Sequence, residues 1–242
     1  MKIKVMTYNI HHGVGTDQRL DLNRIAEVIR KSNSDIIALN EVDKYFSKRS
    51  DYMDQIGWLA NHLNMDYAFA PALSLKSKGT LPRRQYGIAL LSRFSILTKK
   101  VHAFEFIPGL FEGRSILDTT IQIHEKIVNV HVTHLSLNPF LHRIQTSFIV
   151  DLLKDNPYPV IVMGDCNMKP RSKGWRKITR VFQDAWLLEG KGSGYTYSTL
   201  RPRFRLDYIF VDRNFDVIQA EMETTNPKAS DHFPVKAQLH LK

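Results

Sequence analysis

The sequence predicts an α+β chain in which two sheets pack face to face with a few helices outside them. Three observations carry that expectation. Apolar runs of strand length and strand composition recur from one end of the chain to the other. Only three segments show the i, i+3, i+4 apolar spacing of an amphipathic helix. Several strands follow one another directly in pairs, a pattern that two packed sheets accommodate.

Taken in order, residues 2 to 9 alternate as a strand and stop at Tyr8-Asn9. Residues 21 to 33 form a helix capped by Asp21, with Leu22, Ile25, Ala26 and Ile29 on one face. The run DIIALNEV, 35 to 42, reads as a buried strand ending at Glu41. A second helix is expected over 52–63, with Met53, Ile56, Leu59, Ala60 and Leu63 on its apolar side. Strands are expected at 66–72, 86–92, 96–106, 115–123 and 127–134, a helix at 140–154, and strands at 159–164, 205–211, 215–224 and 233–241. There is no fixed-period repeat and no Pro- or Ser-rich linker, so residues 1–242 are expected to form one domain. The stretch SLKSKGTLPRR, 74 to 84, reads as a basic loop within it.

With 43% hydrophobic and 24% charged residues, the 242-residue chain can bury a sizeable core, which excludes a disordered protein. A formal charge of +10 favours polyanionic partners, with nucleic acid and anionic membrane surfaces the usual ones; the same excess also occurs in enzymes with no such partner. The single cysteine, Cys166, excludes an internal disulfide and suits a reducing compartment. The opening MKIKVMTYNI runs straight into a strand, and no window reaches the ~18 apolar residues of a membrane span. A soluble, cytoplasmic protein is expected, and no obligate protein partner.

One event repeats along the chain: an apolar strand ends on a residue suited to metal or phosphate chemistry. The first strand delivers Asn9 and the second Glu41. HVTHLS delivers His134, and VIVMGDCN delivers Asp165 and Asn167, which share a face if the chain stays extended. RLDYIFV places Asp207 at a strand start, and ASDHFPV puts Asp231 and His232 just before the last strand. Singly, each is also ordinary turn or capping chemistry. Together they suit phosphate ester hydrolysis. A hard cation such as Mg²⁺ needs only one or two carboxylates and keeps several waters, and Glu41, Asn9 and Asp231 offer the oxygens. Zinc would prefer more cysteine and clustered histidine. Asp165 can orient and deprotonate a water, and His232 held by Asp207 can stabilise charge on phosphoryl oxygens.

The ordered set TYNIHHG, ALNEVD, YGIALLSR, HVTHLS, GDCN, RLDYIFV and SDHFPV resembles the endonuclease/exonuclease/phosphatase superfamily. That group includes deoxyribonuclease I, abasic-site endonucleases, neutral sphingomyelinases, inositol polyphosphate 5-phosphatases and tyrosyl-DNA phosphodiesterases. The resemblance implies a four-layer αββα sandwich with a site at one edge between the sheets. It implies Mg²⁺, with Mn²⁺ as the alternative, held by Glu41 directly and Asn9 beside it, with Asp231 a further carboxylate. It implies Asp165 as the water-activating residue, Asn167 steadying water and phosphate, His134 contacting phosphate, and Asp207 orienting His232. Arg114 sits where members place a phosphate-binding arginine, and His11 lines the site or touches the leaving group.

Three positions depart from the pattern. His11-His12 stands where abasic-site endonucleases carry an acidic or small polar residue, Asn40 stands where Gln is common, and Cys166 replaces a large apolar residue and is expected to pack away from the site. The expected activity is metal-dependent hydrolysis of a phosphodiester. A sphingomyelinase-like or inositol-phosphate hydrolase is the alternative, with the apolar run FEFIPGLFEGR, 104 to 114, as a membrane or base contact. A non-catalytic phosphate-binding protein on the same scaffold is the third reading.

Overall fold

A computed structural model describes residues 1–104 and 113–242. Among the described residues, twelve strands form two six-stranded mixed sheets. The first sheet contains β1 (Lys2–Asn9), β2 (Ile36–Lys44), β3 (Asp66–Leu75), β4 (Arg84–Ser92), β11 (Phe215–Met222) and β12 (Val235–Leu241), in the order β11-β12-β1-β2-β4-β3. The second contains β5 (Ile96–Phe104), β6 (Arg114–Ile123), β7 (Lys126–His134), β8 (Val160–Asp165), β9 (Gln183–Asp184) and β10 (Asp207–Val211), in the order β5-β6-β7-β8-β10-β9. Each sheet has one parallel pair near its centre, β1 with β2 and β7 with β8. Parallel central strands are buried on both faces, which explains unbroken apolar runs such as Val160-Ile161-Val162-Met163.

The layers follow from where each strand's alternating side chains go. Val5, Ile36, Ala38, Leu90, Val130, Val132, Ile161, Met163 and Ile209 meet between the sheets. The opposite face of the first sheet, with Met6, Tyr8, Ile37 and Leu39, is covered by α1 (Leu22–Ser32) and α2 (Gln55–Leu63). The outer face of the second sheet, with Ile116, Val160, Val162 and Phe210, is covered by α3 (Pro139–Leu153) and α4 (Lys173–Ile178). This is the expected αββα sandwich. Asp21 caps α1 as the sequence predicts, accepting from the Asn23 and Arg24 N–H groups at 3.0 and 3.3 Å. Helix α2 begins three residues later than expected, because Asp54 and not an earlier residue accepts from a first-turn N–H, that of Gly57 at 3.0 Å.

The short elements α4, β9 and α5 (Ala185–Glu189) were not legible in the sequence. None is long enough to show a period, and each is held by tertiary contacts such as Trp175 Nε1 donating to Asp184 Oδ2 at 2.7 Å. Trp175 is thereby tied into the structure. Of the basic stretch 74–84, residues 76–83 connect β3 to β4 and its ends belong to those two strands; Lys76, Lys78 and Arg83 are exposed. Most of the apolar run 104–114 lies outside the described residues. Among the described residues, no helix is long and apolar enough to cross a membrane.

Candidate active site

The two parallel pairs end at the same edge of the sandwich, and there the polar strand ends converge. Asn9, at the end of β1, is the register partner of Asn40 at the last β1-paired position of β2, and His134 and Asp165 are partners at the ends of β7 and β8. Because β10 runs antiparallel to β8, its first residue, Asp207, pairs with the last residue of β8, Asp165. Strand β6 likewise begins with Arg114 where β7 finishes. A cleft of about 530 Å³ opens at this edge, lined by His11, His12, Glu41, Arg114, His134, Asp165, Asn167, Asp231 and His232, among others. Every sequence-predicted site residue reaches its wall except Asn9 and Asp207, which lie beneath it and bond to residues that do.

Asp165 is the buried hub. Its Oδ2 accepts from Asn9 Nδ2 at 3.2 Å and lies 3.6 Å from His134 Nε2 and 3.8 Å from His232 Nε2. The Asp207 Oδ2 oxygen sits 2.8 Å from His232 Nδ1 and fixes that ring. The electrostatics separate these groups. Burial first, and the Asp207 charge second, push the Asp165 carboxyl up to about 7 against the opposing pull of His232, the Asn167 N–H and Asn9. Burial would lower His232, but the charge and hydrogen bond of Asp207, with Asp165 and Asp231, outweigh it and push the imidazole up to about 10. Burial, then the Arg114 and His232 charges, holds His134 well below the usual imidazole range. At neutral pH the cleft thus has a cationic His232, a neutral His134 and an Asp165 poised to exchange a proton.

Asn167 reaches the cleft by a different route from the one expected. Strand β8 stops at Asp165, and Asn167 adopts a left-handed conformation with φ 46°. Its N–H donates to Asp165 Oδ1 at 2.9 Å and its Nδ2 to the Leu135 carbonyl at 2.9 Å. The Asp-x-Asn pair is an Asx turn and part of the site at once, so extended-chain alternation is not what aligns it. Gly164 is required just before it: with φ 149°, a Cβ there would overlap the Thr133 carbonyl oxygen of β7. Cys166 points away into the core beneath α3, as expected.

Glu41 also gains its position from irregular backbone. The β2–β4 register slips between Leu39 and Val42, so β2 continues to Lys44 through a bulge instead of ending at Glu41. Glu41 sits on that bulge with φ 59°, and its carboxylate accepts from Asn9 Nδ2 at 3.0 Å. His11 and His12 follow β1 in a 3-10 turn, His11–Gly13, with φ 45° and 44°. The His11 Nδ1 lies 3.0 Å from the Val14 carbonyl oxygen. The His12 Nδ1 lies 4.0 Å from Glu41 Oε2, and burial, then the Arg49 and His11 charges, pulls its pKa down to about 4. Left-handed backbone at non-glycine residues is costly and concentrates at functional sites.

Sequence reasoning missed the residues that brace this edge. Asn40 donates to the Thr133 carbonyl at 2.8 Å and accepts from the Asp165 N–H at 2.9 Å, joining the two sheets at the hub. Ser230 Oγ donates to the Asn9 carbonyl at 2.7 Å. The Tyr197 ring lies 4.8 Å from that of His232. A buried amide inside ALNEV was the available signal for Asn40; nothing local marked Ser230 or Tyr197.

The donor set suits a hard divalent cation at Glu41, whose carboxylate faces the cleft with room for waters. Asn9 turns its amide nitrogen, not its oxygen, towards both Glu41 and Asp165, and its Oδ1 accepts from the His11 N–H at 3.1 Å. A second groove of about 700 Å³ opens beside Asn167, lined by Leu137, Met168, Arg143, Lys169, Lys173 and Lys177 among others.

Comparison with known proteins agrees with the architecture. UPF0294 protein VV2535 of Vibrio vulnificus is 27% identical over 186 residues, 76% of this chain and 60% of that protein. The chain thus spans about 60% of the length of the curated relatives it matches. An endonuclease/exonuclease/phosphatase structure from Beutenbergia cavernae superposes with a TM-score of 0.84 at 26% identity, covering 99% of this chain and 72% of that one. The fold is also shared, at TM-score 0.74 and 18% identity, with the mannosyl-6-phosphatase Bt3783 of Bacteroides thetaiotaomicron, over 99% of this chain and 100% of that one. Residues 6–232, from β1 to His232, match the family model itself, and the chain therefore belongs to the endonuclease/exonuclease/phosphatase family.

Proposed function

We propose that this protein is a divalent-metal-dependent hydrolase that cleaves a phosphodiester by attack of an activated water. The observation that carries the reading is the buried Asp165, 3.6 and 3.8 Å from two imidazoles of unlike charge, in a cleft shared with Glu41. In this reading Asp165 takes a proton from the attacking water while Asn167 holds that water. The water oxygen bonds to phosphorus as the bond to the leaving oxygen breaks. His232, kept protonated by Asp207, offers its Nε2–H to the phosphoryl oxygens, as does the neutral ring of His134. Arg114 and His11 contact the substrate phosphate. Glu41 holds Mg²⁺ or Mn²⁺, Asn9 keeps Glu41 and Asp165 in register, and Asp231 adds a carboxylate beside them. The cation, when bound, neutralises charge on the phosphoryl group.

Residues 1–242 act as one domain, because the first sheet supplies Asn9 and Glu41 and the second supplies His134, Asp165 and Asp207. The +10 charge and the cations of the groove beside Asn167 favour a substrate extending beyond its phosphate, with nucleic acid the leading class. Buried, unpaired Cys166 suits the cytoplasm. One observation favours a second reading. Leu137, on the cleft wall, and Phe140 nearby are 74% and 70% exposed, which suits a sphingomyelinase-like enzyme working at an anionic membrane. A monoester substrate, as the name of the Bacteroides phosphatase states for that protein, is the remaining variant.

The test is hydrolysis of bis-p-nitrophenyl phosphate with and without Mg²⁺ or Mn²⁺, wild type beside Asp165→Asn and Glu41→Ala. Metal-dependent turnover lost in both variants is expected. Full activity in a folded Asp165→Asn would overturn the mechanism. Sedimentation with anionic vesicles separates the membrane reading from the first, and p-nitrophenyl phosphate turnover without diester turnover would select the monoester.

A further inference from the structure

The turn after β1 is built with more constraint than a simple connection needs. His11 and His12 both take left-handed backbone, at φ 45° and 44°, ahead of Gly13 at 77°. Gln55 braces the turn: its Nε2 donates to the His12 carbonyl at 2.7 Å, and its Oε1 accepts from the Asp43 N–H of β2 at 2.9 Å. The turn is thereby clamped to the strand that carries Glu41, whose own φ of 59° swings its carboxylate the same way. The result is His12 Nδ1 and Glu41 Oε2 facing each other at 4.0 Å.

That distance is too long for a hydrogen bond. The His12 Nδ1 atom is nonetheless shut off from solvent and, among the described residues, has no hydrogen-bond partner. A buried polar atom held at such backbone cost without a partner calls for an explanation. Two ligand bonds of about 2.1 Å to one ion span up to about 4.2 Å, so the gap matches two donors on a shared cation. Ligating atoms of His11, His12 and Glu41 all lie within 4.8 Å of one another. Asn9 offers this side an N–H instead of an oxygen, and the His11 Nδ1 is engaged with the Val14 carbonyl, whereas the His12 Nδ1 faces Glu41 with no other partner among the described residues, so His12 is the donor assigned here.

We propose that His12 supplies an imidazole ligand beside Glu41, making this centre select Mn²⁺ over Mg²⁺. Imidazole suits Zn²⁺, Cu²⁺, Fe²⁺ and Ni²⁺ best, and carboxylate, carbonyl and water oxygens serve both Mg²⁺ and Mn²⁺; of those two hard ions Mn²⁺, a first-row transition ion, is the one that gains from a nitrogen donor. The inference rests on the reading of Glu41 as a metal ligand and specifies the chemistry of that same site.

The test is Mn²⁺ binding to the full chain followed by electron paramagnetic resonance, with Mg²⁺ as competitor and electron spin-echo modulation to detect coordinated ¹⁴N. Wild type is expected to show nitrogen modulation. His12→Gln is expected to lose it and to weaken Mn²⁺ binding by about 10–100-fold, with Mg²⁺ binding little changed. His11→Gln is expected to keep the modulation. Bound Mn²⁺ without nitrogen modulation in wild type overturns the proposal without needing any variant to fold. So does modulation that survives in His12→Gln or disappears only in His11→Gln. If Mn²⁺ does not bind, or binds equally to Glu41→Ala, the Glu41 reading fails and takes this inference with it. Mn²⁺ that needs Glu41 but shows no nitrogen overturns the His12 role alone.

Discussion

Replacing Asp207 with Asn keeps the shape at the start of β10 and an oxygen for the His232 Nδ1–H, but removes a buried charge 2.8 Å away. His232 stands at about 10 instead of 6.5. At roughly 1.4 kcal/mol per pKa unit, the fold favours the imidazolium by about 5 kcal/mol, and Asp207 is the leading favourable cause. Without that charge, burial competes with only Asp165 and Asp231, and His232 should titrate near 6.5. At pH 8 the protonated fraction then falls to about 3%, so kcat should drop by about 30-fold or more. Asp207 also raises the Asp165 carboxyl, so both limbs of the pH–rate profile should move down. Wild type is expected to rise through about pH 7 and fall near 10; Asp207→Asn should show a narrower peak at lower pH. The assay is diester turnover from pH 5 to 10.5, with the His232 ring followed by ¹⁵N NMR. A folded Asp207→Asn that keeps its upper limb near 10 would refute the reasoning. Stability carries the same sign. Folding raises the His232 pKa, so its contribution is full below 6.5 and lost as pH climbs through about 10, and the variant's deficit in urea unfolding should shrink over that range.

Two further outcomes follow from the site. Asp165 is raised on folding, so its contribution to stability is full below about 4 and lost as pH rises through about 7. Asp165→Asn should therefore abolish turnover yet gain on the order of 2–4 kcal/mol in urea unfolding at pH 8, with the gain vanishing at pH 3; equal gains at both pH values would contradict the assigned burial. Asn40→Ala leaves the Asp165 N–H and the Thr133 carbonyl buried and unpaired, and should cost about 2–5 kcal/mol in the same assay, together with a fall in kcat; a loss under 1 kcal/mol would show that water replaces the amide.

What the sequence determined by itself is the set of elements and the chemistry at their ends. The strands other than β9 were legible because burial forces continuous or alternating apolar runs, and α1 because Asp21 caps it. Asn9, Glu41, His134, Asp165, Asp207 and His232 stood out because a polar group at either end of a buried run is conspicuous. Tertiary structure decided how they meet. Register between strands distant in sequence puts Asp207 opposite Asp165 and His134 beside it, and no local signal encodes register. The bulge at Glu41, the Asx turn at Asn167 and the left-handed turn at His11-His12 are conformations that sequence statistics disfavour. They persist because Asn9, Asn40 and Gln55 hold them from outside. The unlike proton affinities of His134 and His232 are also tertiary: two buried imidazoles differ only because one has Asp207 within hydrogen-bonding distance and the other faces Arg114.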